Sequence, residues 1–256
     1  MIYIGINTKG GTGKSTLMSQ VLAPYLFVLN NERVTLIEID DENNDSVVFS
    51  KSEILESTIL PTSKITQIDE IFFDNKDILI DVGGNKTATI FLSEMKKIKE
   101  YENVIWFIPL SAGEQDNQNA LETYHNIKNM HSEANIIFVL SNVRSGDLEW
   151  EFLHFFGNEY LNTEMSIMKQ IDNVNYITIN TSSIINNSRT FNKTVQDIST
   201  NPIDFRTKAK KEVNSKKRSK FIFLNRVKNE AIEYIDYLHA DVFPQLHKYI
   251  SKNNKV

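Results

Sequence analysis

The chain has 256 residues, enough for one large α/β domain and too few for two. It contains no cysteine, which excludes disulfides, thiolate metal sites and cysteine nucleophiles and fits a reducing cytoplasm. The net charge is −5, but ten Lys/Arg and one acid lie between Arg206 and Lys228, so the remainder carries a net charge of −14. No leader-like start and no apolar run of about 20 residues is present, so we expect a soluble, cytoplasmic protein.

Short apolar runs rich in β-branched residues alternate with helix-length segments as far as residue 180. Nearly continuous apolar runs are typical of parallel strands that are buried on both faces. The alternation predicts an α/β fold with a doubly wound, mostly parallel sheet flanked by helices. The predicted strands are 2–7, 33–39, 77–82, 103–110, 135–142 and 174–180. The predicted helices between them are 14–30, which Pro24 should kink or shorten, 89–101, 117–130 and 146–161.

The strand pattern stops near residue 200, and the segments 204–223 and 226–250 are predicted to be helices. The second has an apolar stripe at helical spacing, formed by Ile232, Ile235, Leu238, Val242, Leu246 and Ile250. We therefore predict one domain over residues 1–204 and a basic helical C-terminal extension, 205–256, that packs on it through this stripe.

A glycine-rich loop joins the first predicted strand to the first predicted helix. Its glycines allow backbone N–H groups to surround a phosphate at the start of a helix. Lys14 is then expected to reach the β- and γ-phosphates, and the Ser15 hydroxyl is expected to bind Mg²⁺. The predicted nucleotide-binding residues of the loop are Gly10, Gly11, Thr12, Gly13, Lys14, Ser15 and Thr16.

The same loop carries a second lysine, Lys9, at its start. The string KGGTGKST resembles the deviant Walker A motif of the ParA/MinD family of ATPases, which are P-loop NTPases of the SIMIBI class. In that family the early lysine crosses a nucleotide-sandwich dimer and contacts the phosphates bound by the partner subunit. The resemblance therefore implies that the chain forms a homodimer on binding ATP, with Lys9 as a catalytic and nucleotide-binding residue. An added cation stabilises the transferring phosphoryl group as an arginine finger does.

The second strand ends in LIEIDDENNDS, which resembles the switch I region of the same family. On that alignment Asp40 is catalytic, since it matches the acid that positions or activates the attacking water. Glu38 replaces an aspartate, Asn44 keeps the family's asparagine, and Asp41 stands where proline is usual. Because the usual Pro-Gln pair is missing, a solvated acidic turn stays open as the alternative.

The third strand and its turn, DILIDVGG, resemble Walker B followed by switch II. The resemblance implies that Asp81 holds Mg²⁺ through a water. Most family members continue with prolines, whereas Gly83 and Gly84 follow here. Two glycines permit a mobile loop with a backbone amide close to the γ-phosphate.

The base-reading motif of GTPases, Asn-Lys-x-Asp, is absent after the fifth predicted strand, where Asn142 is followed by Val143. This absence and the family resemblance favour ATP and Mg²⁺ as the cofactors. Two roles stay open for Asn142, contact with adenine and capping of the next turn.

The basic stretch near the C-terminus predicts binding to the phosphates of DNA without sequence preference. ParA-like proteins bind DNA in this way once ATP has made them dimeric. The predicted DNA-binding residues are Arg206, Lys208, Lys210, Lys211, Lys216, Lys217, Arg218 and Lys220. The aromatic residues among them, Phe205, Phe221 and Phe223, are expected to pack inward. A solvated helical face is the alternative, and no membrane partner is expected because little apolar surface follows Ile250.

The resemblance implies a ParA-like ATPase that segregates plasmid or other low-copy DNA. A centromere-binding, ParB-like adaptor would stimulate hydrolysis, which is expected to be slow without it. The protein would be cytoplasmic and associated with the nucleoid when ATP is bound. The alternatives are a conjugation or mobilisation accessory, a MinD-like positioning ATPase and, from a different class, a metabolic enzyme similar to dethiobiotin synthetase.

Overall fold

The computed structural model describes residues 1–41, 46–72, 76–99, 101, 103–144, 146–160 and 165–251. Asn44, which the resemblance aligns with the family's asparagine, lies outside the described residues. The described residues form one seven-stranded sheet in which every pair of neighbours is parallel, in the order β3-β2-β4-β1-β5-β6-β7. The strands are β1 (Ile2–Gly5), β2 (Val34–Ile39), β3 (Leu55–Ile59), β4 (Ile78–Val82), β5 (Val104–Leu110), β6 (Asn135–Val143) and β7 (Tyr176–Asn180).

The predicted doubly wound sheet is confirmed, and all six predicted strands are present. The seventh, β3, was missed by the sequence analysis. It lies at the edge of the sheet, and Glu56, Ser57 and Thr58 interrupt its apolar character. An edge strand needs less apolar surface than a central one, so its signal in the sequence is weak.

The first predicted helix is present as α1 (Lys14–Leu17), a π-helical turn (Met18–Leu22) and α2 (Ala23–Asn30). Pro24 lies in the first turn of α2, where its missing N–H is accommodated by the wider turn before it. The other helices of the sheet region are α3 (Ile68–Phe72), α4 (Lys86–Ile98), α5 (Glu114–Met130), α6 (Leu148–Glu151), α7 (Leu153–Phe156), α8 (Ile167–Gln170), α9 (Ser183–Thr190) and α10 (Val195–Ser199), with 3₁₀ turns at Ser46–Phe49 and Thr62–Gln67. The single predicted helix 146–161 is wrong, since α6 and α7 are separate and Gly157 ends α7 with φ 81°.

The C-terminal part is helical as predicted, with different boundaries. It consists of α11 (Phe205–Lys211), α12 (Ser215–Tyr237), a π-helical turn (Leu238–Val242) and α13 (Phe243–Ile250). The break falls at residues 212–214 rather than near residue 224. Asn214 caps α12 there, because its side chain accepts the Lys217 N–H at 3.0 Å.

Two apolar layers cover the two faces of the sheet. α12 and α13 pack into the same layer as the first helix, against sheet residues such as Tyr3 and Leu36. The predicted stripe is buried from Ile235 onward, whereas Ile232 is 37 % exposed and Ala231 takes the buried position. In the part of the chain that the structure describes, no helix combines the length and the apolar character needed to cross a bilayer.

Candidate nucleotide-binding site and basic face

A cavity of about 290 Å³ opens at the carboxyl ends of the strands, the edge at which such sheets bind ligands. It brings together the glycine-rich loop, the end of β2 and the end of β4. Of the residues predicted from the sequence, those that line it are Gly10, Gly11, Gly13, Lys14, Ser15, Thr16, Asp40, Asp81 and Asn142. Lys9 and Thr12 are the predicted nucleotide-binding residues that do not line it.

The glycine-rich loop has the backbone that its sequence predicts. Gly11 and Gly13 have φ 76° and 94°, a region in which side chains other than hydrogen are strained. A Cβ at Gly13 would also lie 3.2 Å from the Ser141 hydroxyl. These glycines therefore allow the loop to turn tightly over the end of β6 before α1 begins.

Lys14 is buried inside the cavity. Its Nζ donates a hydrogen bond to the Lys9 carbonyl oxygen at 3.0 Å. Burial lowers the pKa of Lys14, and the nearby carboxylates of Asp81 and Asp40 oppose this effect. An anionic ligand in the cavity would therefore stabilise the charged form of Lys14.

Lys9 points to a different partner. Its ammonium forms an ion pair with Asp116 in the first turn of α5. The Lys9 side chain is 40 % exposed, whereas that of Asp116 is 10 % exposed. The sequence analysis did not find Asp116, since one carboxylate in an acidic first turn has no distinctive pattern. In the chain as described, then, the two lysines of the loop have separate partners.

The Gly83–Gly84 turn lies between Asp40 and the glycine-rich loop. The Gly83 N–H donates to the Ile39 carbonyl at 2.8 Å, and the Asn85 N–H donates to the Thr8 carbonyl at 2.5 Å. A Cβ at Gly83 would lie 2.8 Å from the Asp40 carboxylate, and one at Gly84 would lie 2.9 Å from the backbone nitrogen of Gly10. These close approaches explain why glycines occupy the two positions.

We expect Gly84→Ala to destabilise the nucleotide-free chain by about 1–3 kcal/mol, because its methyl group would push against the backbone of the loop. Gly10→Ala is the matched control, since a Cβ there meets no described atom within 4 Å. Urea unfolding of both variants measures the difference. Equal stability of the two variants would show that the turn does not need this close contact.

The far wall of the cavity contains residues that the sequence analysis did not single out. Ile179 and Asn180 end β7, and Ile185 and Arg189 follow on α9. Strand β7 was predicted, and ligands bind at the carboxyl ends of parallel strands, so the end of β7 could have been predicted to line the site. Asn142 has φ 61° at an irregularity in the β6–β7 pairing and lines the cavity.

The predicted metal ligands lie at the cavity. Ser15 offers a hydroxyl oxygen and Asp81 a carboxylate oxygen. Mg²⁺ prefers such hard oxygen donors and usually completes its shell with waters and phosphate oxygens. These donors therefore fit Mg²⁺ held together with a nucleotide, and the described residues contain no group of three or more His, Cys, Asp or Glu suited to a metal ion by themselves.

The eight predicted DNA-binding residues are all exposed on α11 and the first turns of α12. We call this surface the basic face: Arg206, Lys208, Lys210, Lys211, Lys216, Lys217, Arg218 and Lys220. Phe205 is buried as expected, but Phe223 is 55 % exposed, so inward packing is wrong for that residue. The residues of α12 that are buried in the core begin at Val227. Phe223 lies before this point, in the part of the helix that extends away from the core, so it cannot pack inward.

The fold is similar to that of solved nucleotide-binding and partition proteins. A Borrelia burgdorferi B31 protein described as a plasmid partition protein and bound to AMPPNP is 12% identical, with 88% of this chain and 97% of that chain covered and a TM-score of 0.53. The MinD cell division protein of Aquifex aeolicus is 15% identical, with coverage of 77% and 89% and a TM-score of 0.51. A chain of the Aquifex aeolicus MinC:MinD complex is 16% identical, with coverage of 77% and 88% and a TM-score of 0.52.

These likenesses show the fold: the chain has the parallel α/β fold of the MinD cell division protein and of the plasmid partition protein, and the sequence analysis predicted this kind of fold. No protein-family model matches the sequence. No curated protein matches it either.

Proposed function

We propose that this chain is a ParA/MinD-type positioning ATPase whose Mg²⁺-dependent ATP site is completed by a second copy of the chain. The observation that supports the proposal is that the two lysines of the loop lie in different places. Lys14 lies inside the cavity, whereas Lys9 lies outside it on an ion pair with Asp116. A lysine that serves a neighbouring subunit has to be outside its own pocket.

The residues of the cavity have distinct roles in this proposal. The backbone N–H groups of the glycine-rich loop bind the phosphates, and Lys14 neutralises charge on the β- and γ-phosphates. Asp40, which also lines the cavity, orients the attacking water. Ser15 and Asp81 would hold Mg²⁺, which supplies electrostatic stabilisation of the charge on the phosphates.

Dimerisation requires Lys9 to exchange one anionic partner for another. In the single chain Asp116 neutralises Lys9, so the lysine stays away from the phosphates of its own site. In the dimer the partner's triphosphate, with its higher charge, would replace Asp116. A single chain therefore lacks one cation of the complete site, so we expect hydrolysis to be slow until dimers form.

The basic face supports the further proposal that the ATP-bound dimer binds DNA without sequence preference. Eight cations project from one helical hairpin of an otherwise acidic chain, and three of them, Arg206, Lys210 and Arg218, line a groove of about 190 Å³ between α11 and α12. Two such faces in a dimer would bind one DNA molecule cooperatively. Partition of plasmid or other low-copy DNA, with a stimulating ParB-like adaptor and localisation to the nucleoid, is the function that this arrangement serves.

We expect the double variant Arg218→Gln/Lys220→Gln to bind DNA at least about tenfold more weakly and to reduce the slope of log affinity against log salt by about 2 per subunit. The reason is the loss of two phosphate contacts and of the counterions that they release. Fluorescence anisotropy with a DNA duplex and AMPPNP measures both quantities. Lys64→Gln/Lys96→Gln removes two exposed lysines elsewhere, and an equal loss in that control would refute a role for the basic face.

A MinD-like role on an anionic membrane is the second candidate, and one observation favours it. Ile222 and Phe223 are half-exposed beside the lysines of α12. Basic residues interleaved with exposed apolar ones also bind anionic lipid surfaces. Sedimentation with phosphatidylglycerol vesicles, compared with phosphatidylcholine vesicles and with DNA, separates the two candidates: ATP-dependent binding to the anionic vesicles without DNA affinity would replace the partition proposal.

A further inference from the structure

We propose that Gln20 couples the nucleotide site to the basic face within a single subunit, through the corner formed by α9 and α10. The proposal rests on the proposed function, because it explains how nucleotide binding changes DNA affinity. Joining two basic faces in a dimer raises the DNA affinity, and the proposed coupling would raise it further by changing the conformation of each subunit.

Gln20 connects the nucleotide-binding loop to this corner. It lies in the π-helical turn that directly follows α1, and it is 1 % exposed. Its Oε1 accepts the Val195 N–H at 2.8 Å, and its Nε2 donates to the Ser188 hydroxyl at 3.2 Å. Val195 begins α10, and Ser188 precedes Arg189, which lines the nucleotide cavity. One buried side chain therefore joins the helix behind Lys14 to both helices of the corner.

A second set of hydrogen bonds joins α10 to the connection between β2 and β3. The buried Asp197 accepts hydrogen bonds from the Ser52 hydroxyl at 2.7 Å, the Glu53 N–H at 2.8 Å and the Thr194 N–H at 2.8 Å. Ser52 and Glu53 lie between the 3₁₀ turn Ser46–Phe49 and β3. Helix α10 thus receives contacts from the turn after α1 and from the connection between β2 and β3.

The same helix packs on the helix that carries the basic face. Val227 and Ala231 of α12 are buried in the layer to which Val195 and Ile198 of α10 belong. Lys228 donates to the Asn201 carbonyl just after α10, at 2.5 Å. Because α12 is continuous from residue 215 to residue 237, a displacement at Lys228 is carried to the basic turns at its N-terminal end.

The proposal differs from simple avidity in one measurable respect. If joining two basic faces were the whole effect, every variant that keeps the basic face and still dimerises would bind DNA as the wild type does. If α10 also changes the position of α12, a variant that loses the Gln20 hydrogen bonds would dimerise normally and bind DNA more weakly. Dimerisation and DNA affinity therefore have to be measured on the same samples.

The test uses Gln20→Leu, which keeps the size of the side chain and removes both hydrogen bonds. With AMPPNP present, we expect normal dimerisation by light scattering and a DNA affinity about 3- to 30-fold weaker than wild type by anisotropy. Ser199→Ala is the matched control, because among the described residues the Ser199 hydroxyl donates within α10 alone, to the Gln196 carbonyl at 2.9 Å. That variant should bind as the wild type does.

A reciprocal measurement separates coupling from a loss of stability. In the wild type, DNA should tighten AMPPNP binding by the same factor by which AMPPNP tightens DNA binding, and Gln20→Leu should reduce both factors together. If Gln20→Leu does not fold, Ser188→Ala replaces it, and we expect the DNA affinity of that variant to be about threefold weaker than that of the wild type. A folded variant whose dimers bind DNA as tightly as wild type overturns the coupling alone. A wild-type dimer without DNA affinity overturns both the coupling and the DNA proposal.

Discussion

Lys9→Ala is expected to lower ATP hydrolysis by about 10³-fold or more and to abolish nucleotide-dependent dimerisation, while the single chain still binds ATP. A cation supplied in trans to a transferring phosphoryl group contributes an effect of this size. Nucleotide binding should survive because Lys9 lies outside its own cavity and pairs with Asp116, whereas Lys14 remains inside. Phosphate release, light scattering with AMPPNP and binding of a fluorescent ATP analogue measure the three properties.

The control for this variant is Lys86→Ala. Lys86 is another exposed lysine and follows the Gly83–Gly84 turn closely, so its removal changes the charge near the site by the same amount. We expect its hydrolysis to stay within about threefold of wild type, as for an exposed charge that contacts no phosphate. Equal losses in the two variants would mean that Lys9 acts only through the general positive charge of the region.

Asp40→Ala is expected to lower hydrolysis by about 10²- to 10⁴-fold and to leave AMPPNP-dependent dimerisation intact. The carboxylate lines the cavity and lies against Gly83, and in the proposed function it orients the attacking water. Single-turnover hydrolysis and light scattering measure the two effects. The dimer should persist longer than that of wild type, because hydrolysis no longer ends the nucleotide-bound state.

Asp41→Ala is the neighbouring control. The Asp41 carboxylate accepts hydrogen bonds from Thr62, which lower its pKa, and it does not line the cavity. Its removal should therefore change hydrolysis only slightly. If Asp41→Ala lowers hydrolysis as much as Asp40→Ala does, the attacking water is not oriented by the Asp40 carboxylate alone.

The central strands and the glycine-rich loop could be predicted because each depends on local sequence. Strands β1, β4 and β5 are buried on both faces, so their residues are almost all apolar and are recognisable without neighbours. Gly11 and Gly13 have positive φ, which glycine adopts without strain because it has no Cβ. The position of the cavity followed from the parallel order of the strands.

The remaining features depend on contacts between distant parts of the chain. Asp116 meets Lys9 across 107 residues of sequence, and Gln20 meets Val195 across 175. The two glycines after Asp81 were expected to allow a mobile loop, but their need arises from the close approach of Asp40 and Gly10. Ile232 kept the helical spacing of its stripe and is nevertheless exposed, since the face of α12 that packs is set by its neighbours.

Mixing Lys9→Ala with Asp40→Ala before ATP is added tests the shared site most directly. In a mixed dimer the Lys9→Ala subunit keeps its own Asp40 and would receive Lys9 from the other subunit. Hydrolysis should therefore rise above that of either variant alone, because each mixed dimer has one complete site of two, and random assortment sets an upper limit of about a quarter of the wild-type rate. If the mixture is as inactive as its components, although a pull-down through a tag on one variant recovers the other, Lys9 acts within its own subunit and the exchange between subunits is wrong.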